Sequence, residues 1–190
     1  VDSAGGKITV TGAPTLSSAG SVFGYYGVAA GDTVDIDVSR YKVSGSKTLS
    51  ANADGGFIGR IMLSGKDNSG KAAVVTIDGK TAKTANDDPD FTITTEVGTA
   101  GGVVGKIFSD EKNCLENTVI IKNVKTDITA NNGNGGGIVG DLGYFKNIKG
   151  RTYLKIDGTN YMTVNNGTNS SGSSGITFSV YSSFLDIGVE

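Results

Sequence analysis

The groups with chemical potential in this chain of 190 residues are carboxylates. There is no histidine and one cysteine, Cys114. Ser-His and Cys-His catalysis, histidine zinc sites and a histidine pH switch are therefore excluded. A lone thiol cannot close an internal disulfide, and without an activating base Cys114 reads as an inert structural residue. Asp87, Asp88 and Asp90 cluster around Pro89 and are the candidates for a hard cation, which takes about six to eight oxygen ligands. Their spacing matches no calcium loop, so a solvated acidic turn is the preferred reading, and neither metal nor cofactor is expected. Asp35 and Asp37 share one strand face, outward if Val34, Ile36 and Val38 point inward. Asp78 and Asp157 hold equivalent places after their strands, with Arg60 or Arg151 as accompanying cation, and paired carboxylates are what polysaccharide cleavage uses. Both are followed by glycine, however, and Asp-Gly is turn chemistry. No catalytic residue is assigned.

Other site chemistry is sparse. Tyr25, Tyr26, Tyr144 and Tyr181 are the candidates for stacking on sugar rings, against the commoner fate of filling or capping a core. Lys and Arg number 17 against 19 Asp and Glu, without a basic stripe, so nucleic acid is not an expected partner. No apolar run approaches the roughly 20 residues of a membrane helix, so no membrane insertion is expected. The glycines from Gly133 to Gly140 are followed by neither a helical pattern nor a Lys-Ser or Lys-Thr pair, which rejects a phosphate-binding loop.

These residues must be positioned by elements that repeat. Gly55-Gly56-Phe57-Ile58-Gly59-Arg60-Ile61 returns as Gly101-Gly102-Val103-Val104-Gly105-Lys106-Ile107 and as Gly136-Gly137-Ile138-Val139-Gly140-Asp141-Leu142. Weaker copies are Gly24-Tyr25-Tyr26-Gly27, with Gly24 matched to Gly56, and Gly172-Ser173-Ser174-Gly175-Ile176, with Gly172 matched to Gly137 and serines in the apolar slots. The spacing is close to 35 residues, stretched to 46 between Gly56 and Gly102 by an insertion around Thr84–Asp90. Between heptads runs a period-2 strand: Val34–Val38, Val74–Gly79, Val119–Val124 and Tyr153–Gly158. Before the next heptad comes a Thr-containing strand and polar turn, as at Ile128–Asn132 and Met162–Asn166. Asn131-Asn132 and Asn165-Asn166 would stack as an amide ladder if the coils are in register. Gly-Gly entering a strand permits a positive φ at a tight corner and close approach of the next coil.

Three short strands per unit, repeated, predict an all-β fold: a right-handed parallel β-helix (β-solenoid) of about four to five coils with few or no helices. A single domain of residues 1–190 is expected. Residues 1–23 form an N-terminal strand or cap, 24–171 the glycine-heptad coils and 172–190 a degenerate last coil.

The heptad Gly-Gly-x-φ-Gly-x-φ (φ here an apolar residue), followed by Asn113-Cys114, resembles the GLUG-type glycine-rich repeat of bacterial cell-surface and adhesin proteins. The likeness is good from Gly55 to about Val164 and poor at the two ends. The coils here are longer than that family's usual repeat, and an asparagine often found after its second apolar pair is missing. The resemblance implies an extracellular, surface-attached scaffold and no reaction. The expected function is a non-enzymatic scaffold or adhesion module whose faces contact a carbohydrate or a surface protein. The strand-like runs near both ends, Lys7–Val10 and Ile176–Val180 with Phe184–Ile187, are expected of a part of a longer repeat protein, and they also raise a second reading. In it, copies stack end to end into a homopolymer. A carbohydrate-active lyase or hydrolase is the third.

Overall fold

The period-2 segments form strands, and the glycine-rich and polar segments form the corners between them. The computed structural model describes residues 6–9, 19–48, 54–65, 68–110, 116–143, 152–167, 172–180 and 183–187. Among these there is no helix. The described strands lie in three sheets, and their pairings are parallel. The first sheet contains β1 (Gly6–Thr9), β4 (Tyr41–Thr48), β7 (Phe91–Thr95), β11 (Lys125–Ala130) and β15 (Tyr161–Asn166). The second contains β2 (Ala19–Val28), β5 (Asp54–Leu63) and three strands broken in two. Those are β8 and β9 (Thr99–Gly101, Val104–Ser109), β12 and β13 (Asn134–Gly136, Val139–Leu142), and β16 and β17 (Gly172–Ser174, Thr177–Val180). The third contains β3 (Thr33–Asp37), β6 (Val74–Asp78), β10 (Thr118–Lys122), β14 (Tyr153–Asp157) and β18 (Phe184–Ile187). Over the described residues the chain visits the sheets in the same cyclic order and passes through each five times. The first pass already includes β1 and β2, which pair with β4 and β5.

Register builds the core as columns. In the third sheet Val34, Val75, Val119, Leu154 and Leu185 align, and beside them Ile36, Ile77, Ile121, Ile156 and Ile187. Ile77, Ile121, Val75 and Val119 are wholly buried, while Val74, Thr76, Thr118, Ile120 and Lys122 beside them are partly exposed. A one-residue slip would turn every aliphatic of such a strand outward, so the alternation locks the register. Each fully buried isoleucine contributes about 1.5–3 kcal/mol of transfer free energy. Phe57 stacks on Phe91 at 4.8 Å between ring centroids, and Phe23 meets Phe57 edge-on at 6.1 Å.

The heptads act mainly through close approach. A Cβ on Gly102 would sit 2.3 Å from the Gly137 carbonyl oxygen and 2.6 Å from Thr126 Cβ. Of the nine heptad glycines only Gly56 has a positive φ in the region that disfavours side chains (156°), so the anticipated left-handed corner is not the general reason for the motif.

Three details of the repeat differ from the expectation. Gly20 pairs with Gly56, whereas Gly24 falls level with Gly59, one residue after the Phe23–Ile58 pair. Ser174 pairs with Gly136, so the serines stand in the glycine positions and Ile176 follows in the apolar slot. The amide ladder does not form: Asn165 pairs with Thr129 and Asn166 with Ala130. Asn131 instead donates to Glu96 Oε1 (2.8 Å), and Asn165 to Asp127 Oδ1 (3.1 Å). The matching letters are thus two residues out of step, of which the corner before the strand, two residues long in one coil and three in the next, accounts for one.

Candidate functional site

The turn from the third sheet to the first is short in three coils, at residues 38–40, 123–124 and 158–160. Asn123 (φ 57°) and Gly158 (φ 61°) take the left-handed conformation there, which Asn and Gly tolerate best. In the second coil the same turn is residues 79–90, the insertion anticipated from the spacing. This loop folds over the start of β11. The Lys125 ammonium donates to the backbone carbonyls of Ala85 (2.6 Å), Asp87 and, at 3.5 Å, Thr84. Asp90 closes the loop. Its Oδ2 accepts from the Lys125 amide (2.8 Å), its own amide donates to the Lys125 carbonyl (2.7 Å), and its carbonyl accepts from the Val43 amide (2.8 Å). Its Oδ1 pairs with Lys83 Nζ at 3.0 Å, both side chains being largely buried.

Between this loop and the corner before β4 lies a cleft of about 670 Å³, walled by Ser39, Lys42, Lys83, Asn86, Asp88 and Asp90 among others. Its rim is polar and of mixed sign. Lys42 Nζ donates to the Asp88 carbonyl (3.1 Å) and stands 4.0 Å from the Asp88 carboxylate, which is almost fully exposed. Asp87 Oδ2 accepts from the Thr84 amide (2.7 Å), and that bond holds its carboxyl below the usual range. The three candidate cation ligands are thus neighbours with different tasks: Asp90 points inward, Asp87 fastens the turn, and Asp88 faces solvent. Among the described residues no group of three His, Cys, Asp or Glu side chains converges to hold a metal ion.

Asp78 and Asp157 are not brought together. They lie in one column of the third sheet with Lys122 between them. That is two strand spacings, about 9.5 Å. Burial pushes the Asp78 carboxyl up, but this is outweighed by hydrogen bonds from Asn123 (3.1 Å) and the Lys80 amide (2.6 Å) and by the Lys122 ammonium at 3.4 Å, so it titrates low. Asp157 is also lowered, first by the Gly158 amide (3.0 Å) and then by Lys155 (3.3 Å). A general acid needs the opposite shift. Arg60 belongs to the second sheet, level with Tyr25 and Lys106, and Arg151 lies outside the described residues. Asp35 and Asp37 are exposed, and Asp37 is lowered by the Ser39 hydroxyl (2.6 Å) and amide.

The tyrosines divide likewise. Tyr25 is half exposed, and its hydroxyl donates to Met62 Sδ (2.8 Å); burial by its neighbours, then the Asp110 charge, raises its pKa. Tyr26 packs against the core and meets Phe23 edge-on at 5.5 Å. The two alternate across the strand and cannot stack on one sugar ring. Tyr144, Tyr181 and Cys114 lie outside the described residues.

Two buried polar centres escaped the sequence reading. One is Lys125. The other is Asn117, which accepts from the Ala73 amide (3.0 Å) and donates to the Ser64 carbonyl (2.8 Å) and Ser109 Oγ (3.2 Å). Ser109 in turn bonds Thr152 at 2.8 Å, linking three coils. No motif marks either residue, since single Lys and Asn residues are spread along the chain.

No family model, curated protein or solved structure matches this chain.

Proposed function

We propose that the chain is a right-handed parallel β-helix of five coils, kin to the GLUG-type repeats, serving as a non-enzymatic extracellular scaffold or adhesion module of a bacterial surface protein. The cyclic visiting order of three parallel sheets supports the architecture, and right-handed crossover is the rule for parallel connections. The observation that carries the functional reading is the cleft beside the 79–90 loop. There an inserted segment, held by Lys125, sets ammonium donors, carboxylate acceptors, an amide and hydroxyls around one opening on an otherwise regular stack. Sugar hydroxyls both donate and accept, and a rim of mixed sign serves both at once. Carbohydrate is therefore the ligand class we assign to the cleft, with the flat sheet faces left for protein contacts. No described helix is long and apolar enough to cross a membrane.

The test is a glycan array, followed by calorimetric titration of the best hits against the wild type and Asn86→Ala/Asp88→Ala. Binding that weakens about tenfold or more in the variant, with the glycan recovered intact after prolonged incubation, supports the proposal. Cleavage of the glycan overturns the non-enzymatic reading. Binding untouched by the double substitution, or absent from the whole array, overturns the cleft as a carbohydrate site.

A further inference from the structure

The same columns that build the core stop at two strand edges, and the two edges match. In the third sheet β3 and β18 have one neighbour each. Ile77 and Ile121, inside the isoleucine column, are fully buried; at its ends Ile36 is half-buried and Ile187 is 48% exposed. Exposure at these inward-facing positions arises because no described coil lies beyond them. The second sheet repeats the pattern. Leu142 and Ile107 are wholly buried, whereas Val180 beyond them is 43% exposed, and at the opposite end Tyr26 is half-buried and Phe23 is 38% exposed.

We propose that copies of this chain stack head to tail, β18 of one copy pairing in parallel with β3 of the next. This goes beyond the adhesion reading and does not depend on it. Extending the observed registers by one coil sets Leu185 against Val34 and Ile187 against Ile36 in the third sheet. It sets Val180 against Tyr26 in the second sheet and the Met162 position against that of Ile8 in the first. Leu185, Ile187 and Val180 each meet an apolar or aromatic partner, while Phe23 meets Thr177, and the edge amides and carbonyls of three strands gain partners at the same time. The contact is heterologous and does not close, so it propagates as a filament. A second copy is the fitting occupant because its first coil continues the columns with the residue types they already contain, which an unrelated strand would match only by accident.

One outward pair is discordant. Asp186 would lie against Asp35 across the junction, level with Lys155 and Thr76 within each copy. Like charges placed directly opposite weaken a strand pair, so the stack should strengthen with salt. The pair also reports the register. Asp35→Lys would face Asp186 of the next copy and should raise the association constant about 3- to 10-fold at low salt; Asp35→Lys/Asp186→Asn should lose that gain.

The experiment is sedimentation velocity and light scattering of the whole 190-residue chain over a concentration and salt series, with electron microscopy of the same samples. Linear assemblies that lengthen with concentration and salt, respond to Asp35→Lys as stated and fall by at least about 30-fold in association with Ile187→Lys support the proposal. Ile187 is half exposed in the single chain, so Ile187→Lys should keep the wild-type circular dichroism and unfolding profile, which separates lost assembly from lost fold. A mass that stays monomeric at all concentrations, a dimer of fixed size, or assemblies indifferent to Ile187→Lys would each overturn it.

Discussion

Replacing Lys125 by methionine isolates what holds the 79–90 loop. The substitution keeps an unbranched side chain of similar length and deletes the ammonium. Two short charge-assisted hydrogen bonds, to the Ala85 and Asp87 carbonyls, are lost, together with a long one to Thr84. A hydrogen bond to a charged group contributes about 1.5–3 kcal/mol. Ala85 and Asp87 are themselves exposed, so water takes up part of the loss. The ledger for the loop is therefore about 2–4 kcal/mol, with the β11 ladder left in place. The assay is amide hydrogen exchange. The Asp90 amide, bonded to the Lys125 carbonyl, and the Lys125 amide, bonded to Asp90 Oδ2, are the reporters. At about 1.4 kcal/mol per factor of ten, local opening should raise the Asp90 exchange rate about 30- to 700-fold, while the Val119 and Ile121 amides stay protected. If Asp90 exchanges at the wild-type rate, the ammonium does not hold the loop, and the Lys83–Asp90 pair or the chain path alone fixes the cleft.

Two further outcomes follow from the same geometry. Gly102→Ala forces a methyl group against backbone of the neighbouring coil at 2.3 Å and should cost about 1–3 kcal/mol or more, whereas Gly70→Ala, with nothing within 4 Å and a φ of 81°, should cost only about 1 kcal/mol of backbone strain; equal unfolding midpoints would refute the close-approach account of the heptad. Asp78 titrates below its ordinary value in the folded chain, so its contribution is fully present above the unfolded-state pKa and is lost as pH falls through the lower folded one, below about pH 4. Urea unfolding across this range should show a shallower pH dependence for Asp78→Asn than for the wild type, and identical slopes would mean that the Lys80, Lys122 and Asn123 contacts do not act on this carboxyl.

What was legible in the residues was whatever the coil repeats. The period-2 strands from Val34, Val74, Val119 and Tyr153 align residue for residue in the third sheet, because an aliphatic column tolerates no slip. The heptads at Gly101 and Gly136 align for a related reason: backbone of the adjacent coil leaves no room for a Cβ. Corners carry no such constraint, so their lengths drift. Matching Asn131-Asn132 to Asn165-Asn166 by letter crossed one of these corners and arrived two residues out of step. Gly24 and Gly56 correspond by letter alone, because the irregularity between Gly20 and Phe23 leaves Gly20 level with Gly56.

The cleft was half legible, for the opposite reason. The insertion showed as one long interval between glycine pairs, and its carboxylates drew notice by their type. Their roles depend on Lys125, which lies 35 residues beyond Asp90 in sequence and touches it only because β11 follows β7 in the first sheet. An acidic run read alone is a solvated turn or, less favoured, a set of ligands for a cation from solution. With the register known, the cation is the chain's own: the Lys125 ammonium takes the loop carbonyls, and Lys83 takes Asp90. These contacts fasten the loop from within the chain, and Asp88, Asn86 and Lys42 are left at the rim as the groups through which the cleft can meet a ligand.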